Sequence, residues 1–307
     1  MRLHPTGKFD NHGRPAKHIQ VLPLAAAMGA EIAGISIPEL SDDAFAEFRQ
    51  ALFRHKMIFV RNQRLTHGDQ ERLSLRFGPF AEDAYTSGVP GHPAVQPVIK
   101  EANDHSRMIF GSGWHTDSPF LPQPPSITML RSIEVPPFGG DTIWANSALA
   151  YAALSDAYKT MIAGLKVRFS MRDVLRSAHD AAEQRDNPIG RLAAIDSGSV
   201  LPEPIRRKVE GSAHPMVRTH PETGDHALYV DGTYAVGIEG MSDEESRPIL
   251  DFLVDFVAQP EFTCRLRWEP DMVVLWDNRA CIHQAFNDYD GYRREMYRTT
   301  VMGETPA

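Results

Sequence analysis

A histidine and an aspartate two residues apart stand in the run Gly113-Trp-His-Thr-Asp-Ser-Pro-Phe120, as His115 and Asp117. On an extended chain, residues i and i+2 point to one face. An imidazole and a carboxylate placed that way can grip one metal ion. The spacing is weak by itself. With 13 histidines and 22 aspartates in 307 residues, about one such pair arises by chance. The chain carries a decoy, His67-Gly68-Asp69, at the start of a predicted helix where the two side chains diverge. Taken alone, the pair at 115 and 117 is better explained as a loop turn with local hydrogen bonds.

The end of the chain changes that weighting. His283 lies eleven residues before Arg294, and Arg298 follows four later. Residues 280–286 and 293–302 flank NDYDGY, which reads as a hairpin turning at Asp290-Gly291. Such a hairpin puts His283 opposite a position close to Arg294. Arg294, Met296 and Arg298 share one face of the second arm, with Arg293 and Glu295 on the other. A third metal ligand then sits beside a guanidinium fork suited to binding a carboxylate bidentately. Two imidazoles and one carboxylate leave three positions of an octahedral iron open. A solvated strand with surface ion pairs accounts for Arg293 and Glu295 better than for Arg294 and Arg298.

The elements that must position these residues are legible from pattern. Residues 41–56 predict a helix capped by Ser41, with Phe45, Phe48 and Leu52 on one stripe. MIFVRNQ, from Met57, predicts a short buried strand, and a second helix runs from about Thr66 to Phe77, stopping at Gly78-Pro79. The stretch 85–125 reads as loop, and Asn146 and Ser155 read as helix caps within 146–165. The polar segment 170–212 reads as a mobile insertion. Ser242-Asp-Glu-Glu245 is a capping box opening a helix with Ile249, Leu250, Leu253 and Phe256 as its stripe. Phe262, Cys264, Leu266 and Trp268 then alternate with Thr263, Arg265 and Arg267, and MVVLW (272–276) follows as a buried strand. No regular βαβ alternation is present, which excludes a doubly wound sheet. The expectation is one domain over 1–307, mainly β with flanking helices (α+β), a barrel or sandwich.

Composition narrows the function classes. A net charge of −8 argues against a nucleic-acid partner. Two cysteines cannot build a disulfide framework or a Cys-rich zinc site. No apolar run approaches a membrane span, and the first 20 residues have no signal-peptide core. A cytoplasmic enzyme without a membrane partner is expected, as a homo-oligomer, dimer or tetramer.

WHTD, then GGDT (139–142), then WDN with His283 and the distal arginines, together resemble the TauD/TfdA family of Fe(II)- and 2-oxoglutarate-dependent dioxygenases. The resemblance runs from about Ile19 to Pro306 and is weakest over 170–212. It implies a double-stranded β-helix, or jelly roll. It implies that His115, Asp117 and His283 hold Fe(II), that Thr142 and Arg294 bind the distal carboxylate of 2-oxoglutarate, and that Arg298 meets an acidic group on a small organic substrate. In the family, O2 and 2-oxoglutarate are consumed together and a C–H bond of the substrate is hydroxylated. Segment 214–230 (HPMVRTHPETGDHALYV) belongs to the same pattern, with His214 and His220 read as structural.

Taurine dioxygenases carry a histidine a few residues past the FG motif, here Phe77-Gly78, and an asparagine four before the first ligand. Asp83 and Gly111 stand there instead, which argues against taurine. EANDHSRMIFGSGWHTDSPFL and EFTCRLRW are closer to the aryloxyalkanoate-cleaving members, such as the dichlorprop dioxygenases. Sulfonate and alkylsulfate dioxygenases share much of this pattern and form the alternative. Tyr85, Phe110, Ser118, Phe120 and Tyr234 are candidate pocket walls, and loops 80–112 and 170–212 candidate lids. A zinc-dependent hydrolase could use the same three ligands. It would leave Arg294 and Thr142 without a role.

Overall fold

The computed structural model describes residues 8–82, 88–105, 111–175 and 203–307. The first half of the chain supplies strands β1 (Gln20–Pro23), β2 (Ala30–Ala33), β3 (Met57–Val60), β4 (Gln96–Lys100), β5 (Ile127–Glu134), β6 (Thr142–Asn146) and β7 (Lys166–Phe169). The second half adds β8 (Ser212–Pro215), β9 (Val217–Thr219), β10 (His226–Leu228) and β11 (Ala235–Ile238). Last come β12 (Thr263–Leu266), β13 (Val273–Asp277), β14 (Cys281–Ala285) and β15 (Arg294–Val301). Helices flank them: α1 (Asp42–His55), α2 (His67–Leu75), α3 (Ser147–Ala153), α4 (Asp156–Ile162), α5 (Glu203–Glu210) and α6 (Asp243–Val257). The mainly-β reading with flanking helices stands.

A seven-stranded sheet runs β1-β2-β3-β13-β5-β15-β4, antiparallel except where β2 meets β3. A three-stranded sheet, β12-β6-β14, shares a core with it. The period of two divides the residues between two cores. Met57, Phe59, Val274, Trp276, Leu130 and Met296 turn inward to meet Trp144, Cys264, Leu266 and Ile282 of the smaller sheet. Ile58, Val60, Val273, Leu275 and Met129 turn outward, where Phe48 and Leu52 of α1 cover them. Burying each such side chain stabilises by roughly 1.5–3 kcal/mol. Arg294 and Arg298 lie on the inward face with Met296, as the alternation predicts.

Helix starts follow the local signals. Ser41, Asn146, Ser155 and Ser242 each accept from backbone N–H groups of the turn they open, and Thr66 and Ser242 complete capping boxes.

Three expectations need correction. The predicted hairpin does not form: β14 pairs with β6, whereas β15 pairs with β4 and β5. His283 therefore sits opposite Trp144, and Arg294 opposite Lys100. Asp290-Gly291 does turn the chain, with Gly291 at φ 82°. That turn lies within a crossing between sheets, anchored by buried Tyr289 under the Lys100 ammonium. Second, β4 lies within the stretch read as loop. Its Pro97 fits an edge strand, where one face of the ladder makes no hydrogen bonds. Third, the end of the presumed insertion is regular structure, in α5 and β8; residues 176–202 lie outside the described residues.

Candidate metal centre and anion cradle

His115 lies in no named strand, yet it forms a one-residue antiparallel bridge with His283. Residues directly opposite in such a pair project to the same side. The two imidazole rings accordingly stand 4.1 Å apart. Asp117 follows on the same face, and Ser118 then turns the chain away with φ 47°. Ligand atoms of His115, Asp117 and His283 all lie within 4.8 Å of one another, and all three residues are buried. The expectation of a shared strand face holds for the geometry, although one bridge and a turn replace a full strand.

The donor atoms suit a cation. His115 Nδ1 lies 2.7 Å from the Gly113 carbonyl, which can only accept, so Nδ1 carries the hydrogen. Nε2 lies 4.0 Å from Asp117 Oδ1. Burial first, then the neighbouring His115, pull the His283 pKa down to about 3, so its ring is neutral. One of its nitrogens, Nδ1, is buried without a hydrogen-bond partner. Burial pushes the Asp117 carboxyl up, but His283, Arg298 and His115 beside it and the Thr128 hydrogen bond outweigh that and hold it below the usual range. Two imidazoles and one carboxylate are a fitting donor set for Fe(II).

The decoy stays apart. Asp69 closes the capping box with Thr66 and pairs with Arg72, while the His67 ring stands against Tyr297. His214 donates to the Leu121 carbonyl, and His220 lies 2.9 Å from Asp277, which Arg279 also holds. Both histidines are braces of the fold.

Arg294 is a buried cation with no carboxylate partner among the described residues, and its Nε makes no hydrogen bond. Its guanidinium stands 5.7 Å over the Trp268 ring. Burial lowers its pKa, with Tyr289 opposing, yet a guanidinium remains charged. Trp268 Nε1 donates to Thr142 Oγ1 at 2.9 Å. Thr142 thus accepts from the indole and keeps its own hydrogen to donate elsewhere. Trp268 touches both anion-binding candidates and was not singled out from sequence, where it reads only as the last inward residue of an alternating run. The Gly139-Gly140 turn, at φ 75° and 66°, admits the crossing segment: a Cβ on Gly139 would meet the Asp288 carbonyl at 2.7 Å.

Arg298 contacts the metal ligand set directly, with Nη1 3.5 Å from Asp117 Oδ1. Its Nε and Nη2 both donate to Gln96 Oε1, at 2.9 and 2.6 Å, from the residue opposite it on β4. Gln96 was invisible in sequence because its importance comes only from that register. Buried Tyr234 places its ring 6.2 Å from His115 and 5.2 Å from buried Phe120. Ser118 is buried and shapes the backbone turn after Asp117. Tyr85, Phe110 and Asp83 lie outside the described residues, as do parts of both candidate lids. Among the described residues, no helix is long and apolar enough to cross a membrane.

Residues 20–300 match the family described as taurine catabolism dioxygenase TauD, TfdA family. The alpha-ketoglutarate-dependent sulfate ester dioxygenase of Pseudomonas putida is 32% identical over 312 residues, covering 95% of this chain and 92% of that protein. The (S)-phenoxypropionate/alpha-ketoglutarate-dioxygenase of Sphingobium herbicidovorans is 29% identical over 286 residues, covering 92% and 95%. A taurine dioxygenase from Burkholderia xenovorans has a similar crystal structure, with TM-score 0.76 and 34% identity, covering 95% and 91%. The chain belongs to the TauD/TfdA family and is a 2-oxoglutarate-dependent dioxygenase, related to the aryloxyalkanoate dioxygenases, that works with Fe(II), 2-oxoglutarate and O2.

Proposed function

We propose that this enzyme hydroxylates a small acidic organic substrate at a carbon bearing an ether or ester oxygen, so that the C–O bond then breaks. His115, Asp117 and His283 hold Fe(II), which when bound activates dioxygen at the cost of 2-oxoglutarate. Arg294 and Thr142 receive the distal carboxylate of 2-oxoglutarate. The observation that carries this assignment is the buried Arg294 charge without a carboxylate partner among the described residues. A buried cation of that kind is costly until an anion joins it. Arg298, held by Gln96 beside the metal ligands, meets the acidic group of the substrate. Tyr234 and Ser118, both buried near the metal ligands, are the candidate pocket walls among the described residues. Residues 1–307 form one domain, and the two sheets that share a core are the walls of a double-stranded β-helix.

Two substrate classes fit this chemistry. With an aryloxyalkanoate, hydroxylation beside the ether oxygen gives a hemiketal or hemiacetal that collapses to a phenol and a keto or aldehyde acid. With an alkyl sulfate, the same hydroxylation releases sulfate and leaves an aldehyde. Relatives named for each class support both readings. The test is anaerobic loading with Fe(II), then oxygen and 2-oxoglutarate with a 2-aryloxypropionate or an alkyl sulfate. Succinate formed with phenol selects the first class, and succinate formed with sulfate the second. Succinate that no substrate of either class stimulates would overturn the C–O cleavage reading.

A further inference from the structure

The hydrogen bonds that reach the Asp117 side chain from the sheet form a chain in which every direction is forced. The Trp276 indole N–H can only donate, and it donates to Asn278 Oδ1 at 3.0 Å. The Asp117 backbone N–H points to the same oxygen at 3.4 Å. These two donors fix which end of the amide is oxygen, so Nδ2 is the group that donates to Thr128 Oγ1, at 2.9 Å. Having accepted there, the Thr128 hydroxyl directs its single hydrogen to Asp117 Oδ2, at 2.5 Å. All four residues are buried, and Thr128 stands directly opposite Trp276 between β5 and β13. The other carboxylate oxygen, Oδ1, is the one that faces His115 and Arg298.

We propose that Thr128 and Asn278 are positioning residues for the metal. They tie back Oδ2 and present Asp117 as a one-oxygen ligand through Oδ1. The inference rests on the reading of His115, Asp117 and His283 as the iron site, and it adds how the carboxylate is held. A carboxylate free to turn could grip an ion with both oxygens. That would occupy one of the three positions that cosubstrate and oxygen require. Anchoring through the rigid centre of the large sheet prevents this. Outer hydrogen-bond partners of this kind typically change metal affinity 10- to 100-fold when removed.

The test is an anaerobic titration of the metal-free protein with Co(II), followed by its visible bands, which report both affinity and coordination. Thr128→Val should weaken Co(II) binding about 10- to 100-fold and alter the bands, while Thr128→Ser should return both close to wild type. Asn278→Ala should shift binding in the same direction, and it remains available should Thr128→Val fail to fold. The Thr128→Val/Asn278→Ala double variant should be no weaker than Thr128→Val alone, because both break one chain. Wild-type affinity and bands in Thr128→Val, failure of serine to rescue, or additive losses in the double variant would each overturn the proposal. Failure of the wild-type chain to bind Co(II) would instead bring down the metal reading, and this proposal with it.

Discussion

His115 and His283 are joined through their backbones, each N–H donating to the other's carbonyl at 2.9 and 2.7 Å. The metal geometry is therefore set by strand register, with side chains added to it. His283 stands between Trp144 on one side and His115 on the other, so the small sheet gains one more residue of width at the metal centre.

That arrangement makes the ligands removable without dismantling the fold. His115→Ala and His283→Ala keep the bridge, because its hydrogen bonds are backbone to backbone. Each should abolish Fe(II) binding and turnover while the far-ultraviolet dichroism stays native. Asp69→Ala should keep both functions and lose only helix capping, about 1 kcal/mol by urea unfolding. Iron loss in Asp69→Ala with an intact fold would mean that the decoy had been misjudged.

Arg294→Ala removes the buried charge offered to 2-oxoglutarate. A charge-assisted bond at such a site contributes about 1.5–3 kcal/mol, so the 2-oxoglutarate KM should rise roughly 10- to 150-fold. Trp268→Phe should raise the same constant by a smaller factor, since it removes the indole N–H whose donation to Thr142 Oγ1 turns the hydroxyl hydrogen toward other acceptors. Steady-state kinetics in 2-oxoglutarate decide it. A larger effect from Trp268→Phe than from Arg294→Ala would place the anion elsewhere.

Arg298→Ala should act on the substrate. Its guanidinium and that of Arg294 lie on one face of β15, but Arg298 is held by Gln96 beside Asp117, whereas Arg294 stands over Trp268. The acidic-substrate KM should rise more than the 2-oxoglutarate KM in Arg298→Ala, with succinate formed in excess of product. Gln96→Glu should do the same more weakly, because a carboxylate there would neutralise the cation that the neutral amide leaves charged. Equal changes in both constants would show that the two arginines do not divide the work.

How much of this was legible in sequence depends on how local each signal is. Ser41, Thr66, Asn146, Ser155 and Ser242 cap their helices because a cap is made within four residues. The inward face of Arg294, Met296 and Arg298 follows from alternation alone. The pairing of β14 and β15 was misread because Asp290-Gly291 signals a turn but not which strands flank it in space. Thr128, Gln96 and Trp268 matter only through contacts with residues 11 to 202 positions away, and no local pattern marks them, whereas Asn278 is legible only as the last residue of WDN, without its role.

A buried histidine outside the metal set bears on stability. His55, at the end of α1, is buried, and its Nδ1 lies 2.6 Å from Asn11 Oδ1. Asn11 Nδ2 donates to the carbonyls of Ala25 and Gly29, so Oδ1 is the acceptor and the His55 Nδ1 carries the hydrogen. Burial first, then the charges of Arg54 and Lys56, pull the His55 pKa down to about 4. The unfolded chain takes up that proton near pH 6.5, whereas the folded chain resists it until about 4. Between those values the unfolded state binds more protons, so stability falls as the pH falls. The contribution is fully present above pH 6.5 and is lost progressively down to about pH 4. From pH 7 to pH 5 the loss from this one group is roughly 2 kcal/mol. His55→Gln should be less stable than wild type at pH 7, because its contacts are disturbed, but its urea midpoint should fall less on acidification. The gap between the two proteins should therefore narrow by pH 5. A gap that stays constant between pH 7 and pH 5 would show that His55 is not the group that makes the native state acid-sensitive.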